Sequence, residues 1–331
     1  MAEVGARKWI ITVTVILASV IEIIDTSIVN VALPHMMGNL SATLDEVAWV
    51  ITSYVVANVI VVPMTGWLSM RFGRRNYFVG SILLFTAASF FCGQATSIWE
   101  LVAFRLIQGV GGGALLSTSQ SILVETFPPE ELGFANGLFG LGVVMGPTVG
   151  PTLGGWITDS FSWRWIFYIN LPIGLLAAFC AYTFIRDHED AKRPPSTDWL
   201  GIVLLIVGIG ALQIFLERGE AEAWFETTYI TVLCGVSVLG ILGFIWRELA
   251  TEHPIVNLRV LKDGSLALGT VCNFILGFGL YASVFILPVF AQNLLGFTAT
   301  QTGLIMLRGA LATMIMMPLV GKILQRGAPP Y

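Results

Sequence analysis

The sequence predicts an all-α polytopic membrane protein, and three observations carry that reading. Of 331 residues, 56% are hydrophobic and 11% charged, and the mean hydropathy is +0.81, far beyond what a soluble core with alternating polar positions requires. The apolar residues fall into ten runs of roughly 20 residues, the length that spans a hydrocarbon layer of about 30 Å at 1.5 Å per residue. The charges sit almost entirely between those runs. A single cleaved leader does not account for ten of them. A net charge of −4 with no basic patch leaves no footprint for nucleic acid.

The runs are expected at 10–33, 47–69, 77–95, 100–124, 134–157, 165–185, 199–216, 229–247, 266–290 and 300–321. In lipid, segments of this length satisfy their backbone groups as helices. Arg7 and Lys8 precede the first run. The even-numbered turns then hold Arg71, Arg74 and Arg75, next Arg186, Lys192 and Arg193, next Arg247, Arg259 and Lys262, and finally Lys322 and Arg326. The opposite turns hold only Arg164 and Arg218, with acids such as Asp45, Glu46, Glu220 and Glu222. This asymmetry predicts that both ends of the chain face the cytoplasm. The turn Glu125 to Gly133 has no Lys or Arg and does not bear on orientation.

An internal repeat organises the chain further. Leu33-Pro34 is followed by Asn39-Leu40, by Gly66 32 residues after the proline, and by Arg71 five further on. Leu287-Pro288 is followed by Asn293-Leu294, by Gly321 33 residues after its proline, and by Arg326 five further on. The ninth and tenth runs are thus expected to copy the first and second in the same orientation. Three parts follow: a six-helix half over 1–196, two inserted helices with a linker over 197–264, and the first two helices of a second half over 265–331. On this count four helices of the second half are missing.

Charged and polar residues inside the runs mark where function is expected. Glu22 and Asp25 lie three apart and share one face of the first helix, with Thr26 and Asn30 near the same stripe. A carboxyl there binds and releases protons if it faces the protein interior or a water cavity; the other reading is an acid capped or snorkelling near the helix end. Arg105 opens Arg-Leu-Ile-Gln108-Gly109 five residues into the fourth run. Its guanidinium keeps its proton and needs a carboxylate, a carbonyl or water, unless it snorkels to the interface. Gly142, Gly146, Gly150 and Gly154 recur every four residues, with Gly155, Pro147 and Pro151 among them. They form a smooth, kinked strip for close helix packing, placed where two halves of a transporter would seal and rock. Arg308, near the middle of the tenth run, is expected to face the interior and pair with substrate or an acid. Trp163, Trp165 and Tyr168 are expected as interfacial anchors.

Other chemistries lack support. Cys92, Cys180, Cys234 and Cys272 all lie within apolar runs without paired spacing, which fits packing better than metal or disulfide roles. His35, His188 and His253 are far apart at helix ends or in loops. The chain has no phosphate-binding Gly-rich Lys-Ser/Thr loop, no cofactor is implied, and no nucleophile or metal cluster suggests an enzyme.

Four motifs in chain order carry a family resemblance. Gly66-Trp-Leu-Ser-Met70-Arg71-Phe-Gly73-Arg74-Arg75 resembles the loop between the second and third helices of the major facilitator superfamily. Arg105 to Gly109 resembles its fourth-helix motif, and Gly142 to Gly155 its antiporter fifth-helix motif. Asp25-Thr-Ser-Ile-Val-Asn30-Val-Ala-Leu-Pro34 resembles the first-helix signature of the fourteen-helix drug:proton antiporters of the EmrB/QacA type, and Trp165 to Gly174 the sixth-helix entry of that group. The resemblance implies a major facilitator fold and a proton-coupled multidrug efflux antiporter of the bacterial inner membrane. Such a protein exports amphipathic, often cationic compounds by alternating access, with a periplasmic adaptor and an outer-membrane channel as partners. It makes Asp25 the proton-coupling acid, Arg105 the partner that tunes coupling, and the turn with Gly66, Arg71, Gly73, Arg74 and Arg75 a conformational latch; from their places in the runs, Glu22 is expected to share in proton coupling and Asn30, Gln108 and Arg308 to line a substrate cavity. Met70 stands where the superfamily loop usually has an aspartate, which puts a charge-relay latch in doubt. The alternative is a truncated, non-transporting membrane protein that binds a partner through its glycine face.

Overall fold

The computed structural model describes residues 5–187, 196–297 and, within 301–316, residues 301, 302, 304, 305, 308, 309, 311, 312 and 316. The tenth expected run, the Gly321–Arg326 copy and most of the junction after Arg186 therefore lie largely outside the described residues. The helices are α1 (Ala6–Leu40), α2 (Leu44–Phe72), α3 (Arg74–Gln94), α4 (Ile98–Gly112), α5 (Leu115–Thr126), α6 (Leu132–Ser160), α7 (Trp165–Tyr168), α8 (Asn170–Phe184), α9 (Trp199–Arg218), α10 (Thr228–Ala250) and α11 (Gly264–Asn293). Among the described residues, seven helical segments are long and apolar enough to cross a bilayer, with α4 and α5 joined in one. The chain is a multi-pass membrane protein.

Local signals set the helix starts. Thr43 caps α2: its hydroxyl accepts from the Glu46 N–H at 3.3 Å while the Glu46 carboxylate accepts from the Thr43 N–H at 2.8 Å, satisfying two otherwise orphaned donors. Ser97 accepts from the Glu100 N–H at the start of α4, Asp198 from the Gly201 N–H in α9, and Asp263 from the Ser265 N–H in α11. Prolines do not end α6, which runs through Pro147 and Pro151 for 29 residues.

Loop contacts sort the turns onto two ends. At one end Arg7 donates to the Phe184 carbonyl, Lys8 pairs with Glu131, and Arg74 pairs with Glu125. At the other, Arg164 donates to the Ala95 carbonyl, Gln94 to the Tyr168 hydroxyl, and Arg218 lies 3.6 Å from Asp45. The basic-free turn after α5 thus sits at the Lys/Arg-rich end, where its acids partner the basic residues. The alternation expected from charge is realised in the packing.

The core forms where α1 meets α6 and α8, and where α4 packs between α2 and α3. Close approach needs glycine at two points on α4. A Cβ at Gly109 would overlap the Tyr54 carbonyl of α2, and one at Gly111 would come within 2.6 Å of the Phe85 nitrogen of α3. The α6 strip packs on α1: Cβ atoms at Gly142, Gly146, Gly150 and Gly154 would meet Ile16 and Val20, Ile23, Ser27, and Ile28 in turn. Its partner is therefore α1, which presents side chains at the matching spacing. Gly155 stands apart, with nothing nearer than Val31 at 4.0 Å.

Helices α9 and α10 cross at Gly208 and Gly240, where a Cβ on either would run into the other's backbone, and α9 leans on α2, where Met64 and Trp67 pack with Ile202 and Leu205. Trp163 differs from expectation. It is 2% exposed, stacked edge-on with Phe167 and covered by the Arg164 guanidinium 4.4 Å from its ring, so it belongs to the core; Trp165 remains exposed. Cys92 is buried, Cys180 and Cys234 half-buried, and Cys272 exposed on α11.

Candidate functional site

Asp25 sits on α1 with no exposed surface, and three donors converge on it. Arg105 Nη1 lies 2.5 Å from Oδ2, while Gln108 Nε2 and Asn170 Nδ2 donate to Oδ1 at 3.0 and 2.8 Å. The helices place them: Arg105 and Gln108 are three apart on α4 and share a face, and Asn170 opens α8. A carboxylate buried in a membrane span survives when a cation and hydrogen bonds replace water.

Arg105 is itself 1% exposed. Its Nε donates to the Val50 carbonyl at 3.2 Å, its Nη1 also reaches Gln108 Oε1 at 2.8 Å, and its guanidinium lies 4.1 Å from the centre of the Tyr54 ring. A planar fork that stacks on an aromatic face while bonding a carboxylate is a task for arginine and not for lysine. Behind Asn170, the Ser89 hydroxyl accepts from Nδ2 at 3.0 Å and donates to the Phe167 carbonyl. The Cys92 thiol approaches Gln108 Oε1 at 3.5 Å. Chemically, the cluster is a charge-balanced pair in which a proton on Asp25 would release Arg105.

Glu22 lies one turn away, 8% exposed. Asn58 of α2 donates to its Oε1 at 3.1 Å, and among the described residues its buried Oε2 has no hydrogen-bond partner. Of the expected cavity residues, Gln108 joins the Asp25 cluster. Asn30 is exposed and donates to the Thr26 carbonyl. Arg308 is exposed.

The α2–α3 turn pivots on Gly73, whose φ of 84° disfavours any side chain. A Cβ there would also press to 3.1 Å on the Asp187 carboxylate, which accepts from the Arg75 N–H at 2.7 Å. Acids from elsewhere thus serve this turn: Asp187 beyond α8 at Arg75, and Glu125 of α5 at Arg74. Beside it, a cavity of about 610 Å³ is lined by Val62, Gly66, Met70, Ser117 and Ser121. Arg71 is exposed at the last turn of α2.

Sequence reasoning passed over Asn170, Ser89, Asn58 and Tyr54. Asn170 was detectable, as a lone amide inside the apolar stretch Trp165 to Gly174; Tyr54 and Ser89 were not, since hydroxyls are common in membrane helices. The Asp187 partnership depends on a tertiary contact.

The profile of the Major Facilitator Superfamily matches residues 15–330. The chain is 37% identical over 318 residues to the multidrug export protein EmrB of Escherichia coli K12, covering 96% of this chain and 62% of that protein. It is 39% identical over 320 residues to the fatty acid resistance protein FarB of Neisseria gonorrhoeae, with the same coverages. The chain thus spans about three fifths of the length of these relatives. Among solved structures it resembles the proton:xylose symporter XylE (TM-score 0.60, 16% identity, 96% of this chain and 69% of that one). It also resembles the human organic anion transporter MFSD10 (TM-score 0.57, 15% identity, 95% and 72%). Helix order, the buried α1–α4 pair and the match over nearly the whole length agree: the chain belongs to the Major Facilitator Superfamily of membrane transporters and is not an enzyme.

Proposed function

We propose that the protein is a proton-coupled efflux antiporter that exports amphipathic compounds by alternating access. The observation that carries this reading is the fully buried Asp25 carboxylate held by Arg105, Gln108 and Asn170. Protonation of Asp25 removes its charge, frees the Arg105 guanidinium, and so gives the α1–α4–α8 contact two discrete arrangements. An inward-moving proton contributes about 2.3 kcal/mol per 100 mV, enough for roughly fiftyfold accumulation of a neutral substrate. The similarity to EmrB and FarB, named for multidrug export and fatty acid resistance, supports efflux as the direction. In this reading residues 1–196 form one half, 197–264 an inserted pair, and 265–331 the start of the second half, with the Lys/Arg-rich end cytoplasmic. The turn Gly66 to Arg75, with Asp187 and Glu125, acts as the latch at that end. The test is ethidium efflux from energised cells: Asp25→Asn abolishes it at unchanged membrane abundance, and undiminished efflux contradicts the assignment.

A further inference from the structure

The start of α9 and the end of α10 bring together two carboxyls that the efflux reading does not use. Asp198 caps α9, its Oδ1 accepting from the Gly201 N–H at 3.1 Å and its Oδ2 from Arg247 Nε at 2.8 Å. Its charge is matched. Glu248, next to Arg247 on α10, is fully buried. Its Oε2 accepts from the Val256 N–H at 3.0 Å, while its buried Oε1 has no hydrogen-bond partner among the described residues. A Cβ at Gly201 would lie 2.9 Å from that Oε1 and 3.2 Å from Asp198 Oδ2, so both acids rest against the same bare Cα. A buried carboxylate oxygen with neither donor nor cation leaves its charge uncompensated. A proton on Oε1 removes that charge.

Val256 belongs to the linker between α10 and α11, which folds back over this pair and is held at three points. Ile255, 5% exposed, packs among Met64 and Trp67 of α2, Ile202 of α9 and Phe244 of α10. Arg259 Nη2 donates to the Leu249 and Thr251 carbonyls that end α10. Glu248 supplies the third attachment, at the Val256 N–H. The first is apolar and the second cannot shed its charge, so only the third changes with protonation. The charged groups on the surrounding elements are Asp198 on α9, Arg247 on α10, and Arg259, Glu252 and His253 on the linker, the last two exposed. From α2, Met64 and Trp67 bring no charge. Arg247 bonds Asp198 and Arg259 bonds carbonyls, which leaves Glu248 without a cation bound to it.

We infer that Glu248 carries a proton while the linker is seated, and that loss of this proton to water releases the linker from α10. The turn Leu258–Lys262 touches both α10 and α11, so the seated linker holds the start of α11 against the α9–α10 pair and the released one frees it. The proton passes between Oε1 and water, and no other group changes its charge. This switch goes beyond the efflux reading and does not rest on it.

Hydrogen–deuterium exchange of the purified protein in lipid nanodiscs reads the linker directly. The range runs from pH 7 to 9.5, starting above the usual histidine value of about 6.5 so that His253 stays neutral. After correction for the intrinsic pH dependence of exchange, protection around Val256 is expected to fall at least tenfold as pH rises, with the middle of α10 unchanged. Glu248→Gln keeps an acceptor for the Val256 N–H and cannot ionise, so its linker should stay protected at every pH. Glu248→Ala keeps neither property and should lose protection at every pH. Protection independent of pH in the unsubstituted protein overturns the inference, as does an equal fall in Glu248→Gln or a Glu248→Gln linker already unprotected at pH 7.

Discussion

Arg105 and Asp25, 80 residues apart in sequence, meet at 2.5 Å with neither exposing more than 1% of its side chain. Their pairing ties α4 to α1 through an interaction whose loss leaves a buried charge. Removing one partner of such a pair costs about 3–5 kcal/mol, whereas replacing both by neutral groups costs much less. Arg105→Gln is therefore expected to destabilise the protein by that amount in denaturant unfolding in detergent. Asp25→Asn combined with Arg105→Gln should recover a large part of it. Additive losses in this double-mutant cycle would show that the pair is not coupled.

The α1–α6 contact yields a contrast between neighbouring glycines. A methyl group at Gly150 would overlap the Ser27 hydroxyl, while one at Gly155 meets nothing nearer than 4.0 Å. Gly150→Ala should cost about 1–3 kcal/mol by overpacking, and Gly155→Ala should stay within about 0.5 kcal/mol. Thermal unfolding of the two variants under one detergent condition checks this.

Gly73 carries a prediction about the turn. With φ of 84° and the Asp187 carboxylate against the position a Cβ would take, Gly73→Ala should cost about 1–3 kcal/mol in backbone strain and displace Asp187 from the Arg75 N–H. Faster amide exchange at Arg75 and along the first turn of α3 is the expected signature.

The start of α9 gives a pH dependence. Desolvation acts to raise the Asp198 carboxyl, but hydrogen bonds from Arg247 and the Gly201 N–H outweigh it and hold it below its usual value of 3.8. A depressed folded value means that the stabilisation is fully present above about pH 4 and is lost as pH falls through that lower value. The stability difference between the unsubstituted protein and Asp198→Asn should therefore be constant near neutrality and shrink in acid. A difference that grows below pH 4 would contradict the assignment.

Much of this architecture was legible from the chain because lipid imposes length and hydropathy directly. The expected run 77–95 appears as Arg74–Gln94 and the run 229–247 as Thr228–Ala250, while α2 starts at Leu44, ahead of the expected 47, where Thr43 caps it. The need of Arg105 for a carboxylate was also readable, since a guanidinium cannot shed its charge; that Asp25, and not Glu22, meets it depends on how α4 is rotated against α1. The α6 glycines announced a packing face without naming its partner, because a smooth strip accepts any helix of matching spacing. Trp163 was misplaced for a related reason: an indole beside a helix start looks the same in sequence whether it turns to the interface or, under the Arg164 guanidinium, into the core.

The central claim is that Asp25 couples proton movement to substrate movement, and proteoliposomes separate the two. With the full-length protein reconstituted, Asp25→Asn should lose uptake of a cationic dye driven by an imposed pH gradient while retaining exchange of labelled for unlabelled dye without a gradient. Gradient-driven uptake that survives the substitution would contradict the account.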